Sequence, residues 1–245
     1  MIRNLYVISE GRSECDFVKN VLSEHLIEYM WIVIPLTLPT SRGTGSGRKG
    51  GWRRTKGYEY AIKGISNMII THSNEVHTTF FDLYGFPSDI PCYEQAKALS
   101  SPLEKARLYE DQLKKDVNGS FASGTKYNLD LFIPYVQPYE FECFLFVDPE
   151  CSAQELSNGE ESKAELLEKE IKKIKNNNTT PEHINDDPKT APSKRIESLV
   201  PGFVKNKTGK AGFSWRIPQR IGTERLRAEC NHFNEWLSFI ESYTK

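Results

Sequence analysis

The sequence lacks paired cysteines, long apolar runs and any appreciable net charge. Its five cysteines, Cys15, Cys92, Cys143, Cys151 and Cys230, are widely spaced and form no CxxC pair, which argues against both a disulfide framework and a structural zinc site. Histidine is also scarce, with five in the chain and no HExxH spacing, so a zinc hydrolase has no support. No window approaches the roughly 18 consecutive apolar residues of a membrane span. The opening "MIRNLYVISEGRSE" turns polar by Ser9, without the apolar stretch of a signal peptide. A cytoplasmic protein with no membrane attachment is expected. The net charge is -1, so any nucleic-acid binding must rest on a local basic patch.

What remains is a chain of 245 residues, 38% apolar and 27% charged, long enough for one sizeable core with an appended lobe. "NLYVIS" reads as a buried strand. The following "EGRSECDFVKNVLSEHL" reads as a turn and a helix with Phe17, Val18, Val21, Leu22 and Leu26 on one face. "WIVIPLTL", "GYEYAIKGISNMIITHS" and "VHTTFFD" continue as strand, helix and strand. This alternation predicts an α/β fold with a mainly parallel sheet flanked by helices. Leu131 to Val136 reads as a fourth strand, and residues 139 to 147 are open to a helical reading. The α/β core is expected over 1–150. A helical, loop-rich extension over 151–245 is expected to pack on it, with helices near 160–175 and in "HFNEWLSFIESY", and Ser193 capping "KRIESL". His232 is expected to serve as a cap or a core hydrogen-bonding group.

In such a sheet, ligands gather beyond the carboxyl ends of the strands. Glu10 follows the first strand, Glu14 lies near the start of its helix, and Asp82 closes the third strand. Carboxylates brought together repel one another unless a cation compensates, and magnesium suits carboxylate and water ligands. Glu140 and Glu142 form a later acidic pair; Glu142, between Phe141 and "CFLF", has core-like neighbours. The expected metal ligands are Glu10, Asp82 and one of Glu140 or Glu142, and the expected catalytic set is Glu10, Glu14, Asp82 and Glu142. Independent capping of turns and helices is the alternative for each acid.

Basic residues gather in two places. Between Ser41 and Gly57, Arg42, Arg48, Lys49, Arg53, Arg54 and Lys56 lie among six glycines with no acid and one aromatic, Trp52. Such a segment has little to bury and high backbone freedom. Its cations can meet phosphates and its indole can stack on a base, which points to DNA or RNA or, alternatively, to an acidic partner subunit. It is not a Walker loop, because the Gly-x-x-x-x-Gly-Lys-Ser/Thr order is missing. Lys194 and Arg195 stand near a helix start, where the dipole disfavours cations, and are read as facing a phosphate.

The stretches "SEGRSECDF", "FFDLYGFP", "QPYEFECFLFVDP", "INDDPKTAPSKRI" and "CNHFNEWLSFIE" together resemble the bacterial DUF4276 family, whose members resemble Toprim domains. That resemblance implies a compact parallel sheet between helices and an acidic centre binding Mg2+ or Mn2+ for cleavage or transfer of nucleic-acid phosphodiesters. It also implies kinship with phage-defence nucleases that often act beside an ATPase of the ABC or SMC type. By resemblance, Glu10 corresponds to the first Toprim acid, Glu14 to an additional acid of nuclease-like branches, and Asp82 to the first Asp of an Asp-x-Asp pair. Tyr84 stands where the second Asp belongs, and a phenol is a poor magnesium ligand. The main expectation is a magnesium-dependent nuclease. The alternative is a non-catalytic accessory subunit of an ATPase-containing defence complex.

Overall fold

The computed structural model describes residues 2–38, 57–121, 127–185, 187–201, 203 and 213–243. β1 (Arg3–Ser9) runs into α1 (Arg12–Phe17), which continues through a π-turn at Val18–Leu22 into α2 (Ser23–Leu26). β2 (Trp31–Thr37), α3 (Tyr58–Thr71) and β3 (Val76–Asp82) follow. Next come α4 (Tyr93–Ala98), α5 (Pro102–Ser120) and two short strands, β4 (Phe132–Ile133) and β5 (Val136–Gln137). A 3-10 turn at Phe141–Phe146 leads into α6 (Pro149–Ser157), α7 (Glu161–Asn176) and α8 (Pro192–Leu199). The chain closes with α9 (Phe213–Ile221), α10 (Thr223–Glu229) and α11 (Asn231–Ser242).

All strand pairings are parallel, in the order β2-β1-β3-β4, with β5 pairing the far end of β3. The expected fourth strand is thus split. Phe132 and Ile133 pair with His77 and Thr78, and Val136 and Gln137 pair with Phe81 and Asp82. Between them the Thr79 hydroxyl donates to the Tyr135 carbonyl and accepts the Tyr135 N–H, both at 2.8 Å. A side chain therefore replaces the main-chain ladder at the break.

Alternation along the central strands divides the core into two faces. Leu5, Val7 and Phe80 pack with Phe17, Val18 and Leu22 and with Phe233, Trp236 and Leu237 of α11. Ile8 and Phe81 point the other way, towards Ile62, Ile65 and Ile69 of α3 and Leu113 and Val117 of α5. The result is a parallel sheet between two helical layers, as the alternation of elements predicts. α11 completes one of those layers, and a further cluster joins Phe146, Leu156, Ile171, Ile196 and Ile217 across the other C-terminal helices. All five cysteines are free thiols. No helix among the described residues is long and apolar enough to cross a membrane.

Candidate functional site at the strand ends

Strand order reverses between β1 and β3, with β2 on one side of β1 and β3 on the other, and the crevice beyond their carboxyl ends is where this topology accommodates ligands. Glu10 and Asp82 stand there because Glu10 directly follows the last residue of β1 and Asp82 is the last residue of β3. The Glu10 carboxylate lies against Gly85 so closely that a Cβ on that residue would overlap it. Gly85, lacking a Cβ, leaves room for that carboxylate. Glu14 is buried in the first turn of α1, with its carboxylate near the Gly11 Cα. Its charge is favourable there, since the first N–H groups of a helix lack carbonyl partners. Gly11 is the N-cap of α1, with no side-chain cap bond.

Asp82 and Glu140 are directed at helix starts. Asp82 Oδ1 accepts the Phe141 N–H at 2.9 Å, holding the first residue of the 3-10 turn on the end of β3. Glu140 precedes that turn, and its Oε2 accepts the Ser193 N–H at 3.0 Å in the first turn of α8. Ser193 is consequently not the cap expected from "KRIESL". The N-cap is Ala191, Pro192 occupies the first helical position, and the acceptor comes from 53 residues earlier in the chain. Glu142 lies within the 3-10 turn and is fully buried.

Tyr84 has a structural role of its own. Its ring lies 5.2 Å from that of Tyr139, and its N–H donates to the Tyr139 carbonyl at 3.2 Å. Tyr139 has φ 58°, a left-handed conformation unfavourable for an aromatic residue. Packing and pairing by Tyr84 help hold that bend, which turns the chain from β5 towards Glu140. The position that would carry a second Asp is used for packing.

These arrangements overturn the expectation of a nuclease centre. Among the described residues, no group of three or more His, Cys, Asp or Glu side chains is placed to hold a metal ion. The physical reason is direction: Asp82 reaches for the 3-10 turn and Glu140 for α8. The acids share a region of sequence and sheet without forming one ligand shell.

The basic residues fare differently. Arg42, Arg48, Lys49, Trp52, Arg53, Arg54 and Lys56 lie outside the described residues. Lys194 pairs with Glu197 at 2.6 Å, and Arg195 Nε donates to the Thr190 carbonyl at 2.8 Å. Both cations therefore have local partners at the start of α8. Asp187 Oδ1 accepts the Lys189 N–H at 2.7 Å, the Asx-turn its neighbouring proline favours.

A buried polar cluster beneath α11 went unread in the sequence. Glu182, fully buried, accepts the His232 and Phe233 N–H groups at 3.0 Å each. His232 Nε2 meets Glu110 Oε1 at 2.8 Å, and the same oxygen accepts the Val136 N–H. Burial pushes the His232 imidazole down, but the Glu110 hydrogen bond and charge more than offset this, so its pKa rises overall. Burial raises the Glu182 pKa against the opposing pull of its two N–H donors. Only the expectation that His232 forms a core hydrogen bond touched this cluster, because residues 110, 182 and 232 share no local pattern.

The family model described as a domain of unknown function (DUF4276) matches residues 9–241, so the chain belongs to that family. Neither the curated proteins nor the solved structures yield a match.

Proposed function

We propose that this DUF4276 chain is a non-catalytic accessory subunit that binds an ATPase partner of the ABC or SMC type within a defence complex. The observation that carries the reading is the direction of the strand-end acids. Asp82 and Glu140 are acceptors for the backbone at Phe141 and Ser193, so the region where a nuclease would hold its metal ties the strands to the C-terminal helices. A carboxylate used this way stabilises a rigid surface, which suits a protein whose work is recognition. The ATPase as partner rests on the resemblance of the family to Toprim-like defence proteins.

Co-expression with an ABC- or SMC-type ATPase, followed by size-exclusion chromatography with light scattering, tests the reading. A stable complex is expected for the wild type and equally for Asp82→Asn, because the carboxamide oxygen of Asn still accepts the Phe141 N–H. No complex with the ATPase, or magnesium-stimulated cleavage of DNA or RNA that Asp82→Asn abolishes, would overturn it.

A further inference from the structure

We infer that the face formed by α2, the amino end of β2 and the α9–α10 corner is a self-complementary surface that docks a second copy of this chain. The inference goes beyond the accessory-subunit reading and does not depend on an ATPase.

Exposed apolar side chains concentrate there. Ile2, Ile27, Tyr29, Met30 and Ile32 are 58, 52, 37, 48 and 44% exposed; Ile2 precedes β1, Ile27, Tyr29 and Met30 lie between α2 and β2, and Ile32 is the second residue of β2. Scattered exposed hydrophobics are ordinary, whereas a contiguous group marks an interface. Met30 is held at φ 64°, the left-handed region where glycine is usual. The chain thus accepts strain at a position where the side chain it displays is apolar and exposed.

Sheet extension is not the means of docking. Leu38 N–H donates to Ser9 and Met30 C=O accepts from Arg3, so even-numbered residues of β2 face β1 and odd-numbered ones face outward. Pro35 stands on that outward side and has no N–H to offer, which interrupts strand addition along the edge. Side-chain packing into a hollow is left. Two hollows of about 770 and 510 Å³ adjoin here, sharing Glu24 and Gln219 in their walls.

Charge specifies the occupant. The wall of the larger hollow formed by α2 and the 3-10 turn after it carries Glu24 and Glu28, and the α9–α10 wall carries Arg216, Arg220 and Arg225. Arg220 is matched by Glu155, Arg225 by Glu229, and Glu224 on the same wall by Arg227. Among the described residues, Glu28 and Arg216 have no ion-pair partner. A twofold axis places the acidic wall of each copy against the basic wall of the other, which pairs Glu28 with Arg216 of the second copy twice over.

Sedimentation velocity across a micromolar concentration series reads the outcome. The wild type should pass from monomer to dimer. Glu28→Arg alone and Arg216→Glu alone should each raise the dimer dissociation constant about tenfold or more, because like charges then meet at both contacts. An equimolar mixture of the two variants should recover association, since both contacts again join opposite charges. Met30→Gly should raise the melting temperature by relieving strain and weaken association by removing the side chain. A wild type that stays monomeric throughout, or a mixture no better than its components, overturns the proposal. ATPase co-purification is a separate readout, so its failure and that of the dimer are distinguishable.

Discussion

At the carboxyl ends of β1 and β3, Asp82 accepts the Phe141 N–H and Glu140 the Ser193 N–H, and beneath α11 Glu182 accepts those of His232 and Phe233. Both regions use carboxylates as caps supplied from a distant part of the chain. They differ in burial and surroundings: Asp82 retains slight exposure, while Glu182 has none and lies near His232 and Glu110. A strand-end position therefore does not distinguish a catalytic acid from a structural one in this protein. Asp82 Oδ1 and Glu140 Oε2, like the two Glu182 oxygens, meet the main chain.

The largest expected effect lies on the buried side of that comparison. Glu182→Ala removes a fully enclosed acceptor and orphans the His232 and Phe233 N–H groups, at a cost of about 3 kcal/mol or more in urea unfolding. Glu182→Gln keeps one acceptor oxygen and should cost less. A loss below about 1 kcal/mol for the Ala variant would show that water can replace the carboxylate, and the contrast in burial would lose its meaning.

At the strand ends, Asp82→Ala should cost about 1–3 kcal/mol, and Asp82→Asn clearly less, because only the former leaves the Phe141 N–H without its acceptor. Gly85→Ala tests the same region from the backbone side. Its methyl group would displace the Glu10 carboxylate, the far end of a flexible side chain, so a destabilisation of no more than about 1 kcal/mol is expected, at the low end of overpacking costs. If Asp82→Asn proves as damaging as Asp82→Ala, charge and not hydrogen-bond acceptance is what the site requires.

Two buried histidines sharpen the comparison through pH. His232, raised above its ordinary value, binds its proton more tightly in the folded state, so its contribution is complete below about pH 6.5 and is lost as pH rises through the folded pKa. Glu182 has the same sign in a lower window, losing its contribution as pH rises from about 4.5. His77 has the opposite sign. Burial lowers it to about 4, so its contribution is complete above about pH 6.5 and is lost as pH falls from there through about 4. Urea titrations at a series of pH values should show His232→Gln flattening the slope above pH 6.5 and His77→Phe flattening the slope below it. Unchanged slopes in both variants would remove either histidine from the linkage.

The smallest effect belongs to the surface. Lys194 and Glu197 are about half exposed, so Lys194→Ala should change stability by no more than about 0.5 kcal/mol. A larger loss would mean that the start of α8 depends on this pair as well as on Glu140.

The sequence by itself determined the alternation of β1, α1, β2, α3 and β3, and the helices at Glu161–Asn176 and Asn231–Ser242. Their signals are local: runs of β-branched and aromatic residues for the strands, and apolar spacing near 3.6 residues for the helices. It was less informative where a short element depends on a distant neighbour. The fourth strand broke at Tyr135 because Thr79 intervenes, residues 141–146 tightened into a 3-10 turn held by Asp82, and Ser193 yielded its capping role to Glu140. Tertiary structure alone decided which N–H each carboxylate would accept, and with it the fate of the expected metal centre. An acid's residue type and place in the chain set its capacity to accept hydrogen bonds, but the direction of its oxygens follows from how β3, the 3-10 turn, α8 and α11 pack together.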